Sequence, residues 1–168
     1  MTGAAKRPAA DPPSFGPARA DDLAALVSID RLSPSPWTAD AFRAEFGRTD
    51  PTVFVLRSKD QVMAFAVTRI QAPEMDLVNL AVAEDQRRRG FGRLLVRFLL
   101  EHAALKGVRS VFLEVRDSNR PARRLYESNG FQETQRRRGF YLEPREDAIL
   151  MSLKIEQPLL LKGSRNAC

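Results

Sequence analysis

The chain predicts an α+β domain built on a mixed sheet, and three observations carry that expectation. Apolar residues recur at strand period in some stretches and at helical spacing in others, in the order α-α-β-β-β-α-β-α-β-β. One crossover, from "DLVNLAVA" through a helix to "SVFLEVRD", makes those two strands parallel neighbours. With 168 residues, 43% of them hydrophobic and 29% charged, the chain suits one domain with a sizeable core and not a disordered segment.

The elements follow in order. In "DDLAALVSIDRL", Leu23, Leu26, Val27 and Asp30 have helical spacing, and the prolines of "SPSPW" end that helix. Thr38 is placed to cap "ADAFRAEF", where Phe42 and Phe46 share a face. "TVFVLRS" and "QVMAFAVTRI" read as a hairpin turning at "KD", and "DLVNLAVA" as a strand buried on both faces. The next helix runs from "RRRGFG" to Lys106 and stops at Gly107, with Leu94, Leu95, Phe98, Leu99, Ala103 and Leu105 as its apolar stripe. After "SVFLEVRD", "NRPARRLYESN" is a short helix with Pro121 in its first turn and Gly130 past its end. "FQETQRRR" and "DAILMSLKI" close as strands linked by "GFYLEP".

Residues 1–17 read as a flexible arm, 18–155 as the domain and 156–168 as a tail. The arm lacks the continuous apolar run of a secretory signal, and no stretch of about 18 apolar residues predicts a membrane helix. The lone cysteine, Cys168, suits a reducing compartment, so the cytoplasm is expected. A net charge of +6 favours an anionic partner: nucleic acid, lipid headgroups or a polyphosphate cofactor.

The loop "EDQRRRGFGRLL", residues 84–95, lies between a strand and an amphipathic helix. A helix start offers unpaired N–H groups and the positive end of the macrodipole, and glycines let an anion approach the main chain. Arg87, Arg88, Arg89 and Arg93 add charge around Gly90, Phe91 and Gly92. The loop lacks the GK[ST] of a P-loop and the third glycine of a dinucleotide fingerprint. Taken alone, it reads equally as a phosphate cradle or as a turn with a solvated basic face.

"NLAVAEDQRRRGFGRLLV" resembles the acetyl-CoA site of the GCN5-related N-acetyltransferases, [RQ]-x-x-G-x-[GA] after a strand, which Arg87, Gly90 and Gly92 fill. "FLEVRDSNRPARRLYESNGF" and "REDAILMSL" resemble the second half of that family, and "SPW" at 35–37 also fits. The resemblance covers roughly residues 18–154 and is strongest to the bacterial enzymes that acetylate the N-terminal alanine of a ribosomal protein. It implies the GNAT fold, with a mostly antiparallel sheet and a parallel pair at the acetyl-CoA site. It also implies that main-chain atoms of Leu80, Ala81 and Val82 run along the pantetheine arm. The loop from Arg88 to Arg93 would hold the pyrophosphate, Arg87 would join it among the coenzyme-binding residues, and Asn119 would touch the coenzyme as well as cap its helix.

Acyl transfer to an amine moves two protons, one off the ammonium and one onto the departing thiolate. An α-amine titrates near 8, roughly, and a lysine near 10.4, so an N-terminus needs less help. Glu114 shares a strand face with Phe112 and Arg116; by itself it reads as a base or as a polar residue paired with Arg116. Tyr126 clusters with Ala122, Leu125 and Asn129; it reads as a core tyrosine or as an acid, its phenol near 10 facing a thiol near 8.5, roughly. The resemblance assigns the base to Glu114 and the acid to Tyr126.

His102, the only histidine, reads as a packed boundary residue, and no His/Cys cluster or carboxylate box suggests a metal. Trp37 and Tyr141 are candidate walls of an acceptor groove. The family's Tyr-Tyr-Pro is here Phe140-Tyr141-Leu142-Glu143-Pro144, a shorter 139–147 loop that bears on substrate preference. The expected partner is a protein with a free N-terminus, a small-subunit ribosomal protein, with no membrane and no nucleic acid required and the oligomeric state open. The competing readings are acetylation of a lysine or small-molecule amine, and a basic RNA-binding module using 87–93, 120–124 and 136–138.

Overall fold

The computed structural model describes residues 12–156. One seven-stranded sheet has the order β1-β2-β3-β4-β5-β7-β6. The strands are β1 (Ser14–Pro17), β2 (Val53–Ser58), β3 (Gln61–Gln71), β4 (Glu74–Val82), β5 (Ser110–Arg116), β6 (Gln132–Leu142) and β7 (Arg145–Lys154). Every neighbouring pair is antiparallel except β4 and β5, as the crossover requires. Among the described residues there are four α-helices, α1 (Leu23–Asp30), α2 (Ala39–Phe46), α3 (Phe91–Leu105) and α4 (Arg120–Glu127), and two short 3-10 turns, Ala20–Asp22 and Glu84–Gln86.

The sheet has a hydrophobic cluster on each face, which is why β3 reads as a continuous apolar run. Ala64 and Ala66 of β3 join Phe54, Leu77, Leu95, Leu99, Val111 and Tyr126 on the α3–α4 side. Val62, Phe65 and Val67 face the other way, onto Leu26 and Phe42 of α1 and α2. Alternation at period two sends neighbours along 64–67 to opposite layers, and the bulge that leaves Met63 unpaired puts Val62 on the side opposite Ala64. Thr38 caps α2 as expected, its hydroxyl accepting from Ala41 N at 3.2 Å.

Several expectations are corrected. Ser14–Pro17, assigned to the flexible arm, pairs with Pro17↔Phe54 through Ser14↔Arg57, and Phe15 stacks on Phe98 at 4.9 Å. The rest of the expected arm, 1–11, and the tail from 157 lie outside the described residues. The buried stripe of α3 is Leu95, Val96, Leu99 and Ala103; Leu94 and Leu105 point outward, with Leu105 87% exposed. Both sit off the 95–99–103 line that faces the sheet. The "GFYLEP" link belongs largely to β6, and only Glu143–Pro144 turns the hairpin. β4 is buried at Met75 and Leu77 alone; beyond them it is half open, because its neighbour leaves it.

Candidate functional site

β4 and β5 run side by side only from Glu74↔Ser110 to Leu77↔Leu113. There β4 bulges: Thr68 pairs with Leu77 and Val67 with Asn79, leaving Val78 unpaired. A bulge bends its strand, and past it the two parallel strands separate. β5 continues against β7, from Glu114↔Leu150 to Arg116↔Ala148. The edge of β4 that faced β5 is thereby left open. Ala83 N donates to Met63 O at 2.9 Å, so alternation turns the main-chain groups of Ala81 toward β3 and those of Leu80 and Val82 toward the gap. Of the three residues expected along the coenzyme arm, Leu80 and Val82 have main-chain groups on the open edge, and Ala81 has its own turned toward β3.

The basic loop stands at the end of this open edge. Gly90 is the N-cap of α3 with φ +85°, and Arg88 also has positive φ at 60°. Such a conformation turns neighbouring N–H groups toward one side. Leu94 N is the first helical donor, to Gly90 O at 3.0 Å, which leaves the N–H groups of Phe91, Gly92 and Arg93 without helical acceptors. A Cβ on Gly92 would come to 3.2 Å from Leu125 Cδ2 and 3.5 Å from Val82 Cγ2. The glycine therefore lets the first turn of α3 seat against both α4 and the end of β4. Arg87 Nε donates to the gap-facing Val82 carbonyl at 3.3 Å, and Arg89 bonds Gln86 and lies over Phe91. An open strand edge leading to a basic cluster of main-chain donors suits an elongated ligand with an anionic end.

Glu114 lies on the opposite side of the sheet from α3 and α4. The hydroxyl of Tyr141 donates to Glu114 Oε1 at 3.3 Å, and Arg137 Nη1 donates to Oε2 at 3.4 Å. Arg116, two residues along, faces the same way, while Val111, Leu113 and Val115 are buried behind. Its guanidinium lies 3.9 Å from the Tyr141 ring. Burial, with the nearby negative charge of Glu114, pushes the Tyr141 phenol up to about 12. Tyr141 reaches this position because β6 bulges: Arg137 pairs with Ala148 and Tyr141 with Glu146, so three residues oppose Asp147. Asp147 Oδ1 accepts from Gly139 N at 2.8 Å and fixes the bulge.

Tyr126 is on the other face, 7% exposed and against Phe131 at 5.7 Å between ring centres. Burial holds its phenol well above the usual range, so it is a proton or hydrogen-bond donor at any neutral pH. Asn119 caps α4, its Oδ1 accepting from Ala122 N at 3.2 Å. The sheet thus separates Glu114 and Tyr141 from Tyr126, Asn119 and the basic loop, and the β4–β5 gap is where the two sides meet.

Trp37 packs on Phe42 at 5.4 Å, and its main chain carries a second role. Trp37 N donates to Oδ2 of the fully buried Asp30 at 2.7 Å, and Asn79 Nδ2 donates to Oδ1 at 3.2 Å. Asp30 so ties the α1–α2 loop to β4 one residue past its bulge. Neither Asp30 nor Arg116 stands out as functional from sequence. Asp30 falls on the inward stripe of its helix and Arg116 on the Glu114 face of its strand, and those placements are the signals that could have found them. His102 packs between Phe54 and Phe98, and burial together with Lys106 lowers its pKa.

Comparison with known proteins agrees with this arrangement. The acetyltransferase (GNAT) family matches residues 23–131. The [ribosomal protein bS18]-alanine N-acetyltransferase of Escherichia coli (strain K12) is 39% identical over 137 residues, covering 80% of this chain and 92% of that protein. The crystal structure of the Escherichia coli ribosomal-protein-S18-alanine N-acetyltransferase superposes with a TM-score of 0.78 at 34% identity, over 87% of this chain and 96% of that one. Arabidopsis thaliana NAA60 in complex with acetyl-CoA shares the fold at a TM-score of 0.74 and 23% identity, over 86% of this chain and all of that one (100%). A matched family spanning most of the domain, and a sheet opened between its parallel strands, lead to one conclusion: the chain belongs to the acetyltransferase (GNAT) family and is an N-acetyltransferase.

Proposed function

We propose that the chain transfers the acetyl group of acetyl-CoA directly to the free N-terminal α-amine of a ribosomal protein of the small subunit, an alanine amine, within a ternary complex. The observation that carries this reading is the gap between β4 and β5, open to a basic loop on one face and to Glu114 on the other. Relatives named for bS18-alanine acetylation at 39% identity support the acceptor, and a fold neighbour holding acetyl-CoA supports the donor. The acetyltransferase unit is the β1 strand together with residues 18–155, working in the cytoplasm.

In this reading the thioester supplies the activated acetyl group. Leu80 and Val82 bind its arm as a further strand, and Arg87 to Arg93 neutralise its pyrophosphate. Asn119 borders the arm while capping α4. Glu114 takes a proton from the α-ammonium, directly or through water. The nitrogen lone pair forms the new C–N bond as the C–S bond breaks, and the nitrogen sheds its second proton to solvent, from which Tyr126 regains the one it gives. Tyr126, held protonated by burial, donates to the sulfur as negative charge develops there. Trp37 and Tyr141 wall the acceptor side. The two-faced arrangement supports direct transfer, with donor and acceptor approaching one gap from opposite sides in this reading.

The test is coenzyme A thiol release with acetyl-CoA and two matched peptides, one with a free N-terminal alanine, the other N-blocked with an internal lysine. Turnover on the first alone, lowered at least about tenfold in Glu114→Gln and in Tyr126→Phe, is expected. Turnover on the lysine peptide alone would move the substrate, and salt-sensitive RNA binding without turnover would replace the reading.

A further inference from the structure

We infer that Arg116 is a positioning residue that clamps the two loops bounding the acceptor side to each other and to β5; its kinetic consequence rests on the function proposed above. Arg116 is 8% exposed and sits two residues from Glu114 on the same strand face. Its Nη1 donates to Glu146 Oε1 at 2.8 Å and to the Pro144 carbonyl at 3.4 Å. Its Nη2 donates to Ser35 Oγ at 3.3 Å and to the Glu143 carbonyl at 3.4 Å. The ring of Tyr141 covers its guanidinium at 3.9 Å. One side chain therefore touches the α1–α2 loop at Ser35, both residues of the β6–β7 turn, and the aromatic ring whose hydroxyl bonds Glu114.

The chemistry of the residue fits this use. A guanidinium is planar and carries five donors in a fixed fork, so it spans several acceptors at once; an ammonium is a point charge with no face for an aromatic ring. Glu146 neutralises it and also accepts from Ser118 N at 3.1 Å, which fixes the pair at the end of β5. Asp30 holds the same α1–α2 loop through Trp37 N. The loop is thus pinned at two points, and Arg116 is the one that couples it to the β6–β7 turn. Acetyl-CoA approaches from the other face, so the clamp acts on the acceptor alone.

Two measurements on the full chain test this. Hydrogen exchange of the free protein should show Arg116→Gln opening segments 33–37 and 140–144 together, with exchange at least about tenfold faster while 84–95 is unchanged. Steady-state kinetics should show the acceptor KM raised about tenfold, with kcat and the acetyl-CoA KM within about threefold, and Arg116→Lys falling between. Unchanged exchange at both segments, or a lost kcat with an unmoved acceptor KM, overturns the clamp. Should Arg116→Gln not fold, Ser35→Ala decides: faster exchange at 33–37 and an acceptor KM up about threefold support it, and no change in either overturns it. A wild-type enzyme inactive on the N-terminal peptide sinks the proposed acceptor instead, and the exchange arm still decides the clamp.

Discussion

The phenol of Tyr141 and the carboxylate of Glu114 meet at 3.3 Å, although they belong to strands that never pair with each other. β7 lies between them, and the β6 bulge carries Tyr141 across it. A hydrogen bond to a charged group contributes about 1.5–3 kcal/mol, so Tyr141→Phe should leave Glu114 less well oriented. Expected is a fall in kcat/KM of about tenfold to a hundredfold with acetyl-CoA affinity unchanged, read from initial rates and from coenzyme titration.

Stability should fall at alkaline pH through the two tyrosines. Burial raises the phenols of Tyr126 and Tyr141 above the ordinary value near 10. Above about pH 10 the unfolded chain has released phenol protons that the folded chain retains. The unfolded state then binds fewer protons, so unfolding becomes easier as pH rises. Urea midpoints at about pH 8 and about pH 10.5 should differ in wild type and differ less in Tyr126→Phe. Equal differences in the two proteins would remove Tyr126 from this account.

Gly90→Ala tests the loop. Nothing lies within 4 Å of the added Cβ, so the effect comes from φ +85° alone. The left-handed conformation costs about 1–2 kcal/mol for a residue with a Cβ, which should lower Tm by about 2–8 °C in a domain of this size. A rise in the acetyl-CoA KM with the peptide KM unmoved would place the loop on the donor side. The reverse pattern would remove it from there.

Asp30→Ala strips the buried acceptor from Trp37 N and from Asn79. The loss should be about 2–4 kcal/mol by chemical denaturation, with the acceptor KM raised as the α1–α2 loop loosens. Asp30→Asn keeps one acceptor and should recover part of both. A variant as stable as wild type would mean that water replaces the carboxylate.

Leu99→Ala removes a fully packed side chain from the α3 stripe and should cost about 2–5 kcal/mol, whereas Leu105→Ala, at an exposed position, should stay within about 0.5 kcal/mol. Thermal denaturation of the pair separates the observed stripe from one that includes Leu105.

By itself the sequence determined what depends on short-range pattern. Helical and strand periods, the Thr38 and Asn119 caps, the glycines that open α3 and the parallel β4–β5 crossover are each written within a few residues or one connection. The positions of the basic loop after a strand and of Glu114 on one strand face were legible for the same reason, whereas their roles came only from the family resemblance. Tertiary structure alone decided where the sheet opens. The Val78 bulge and the parting of β5 toward β7 depend on pairings between distant strands, whose register no local pattern encodes. The partners of Glu114 were settled the same way: not its neighbour Arg116 but Arg137 and Tyr141, 23 and 27 residues on. Arg116 itself reads as one more surface arginine until folding surrounds it with Ser35, Glu143, Pro144 and Glu146. Buried polar contacts of this kind are selected by what the whole chain brings to one place, because a desolvated charge must be met from every side at once.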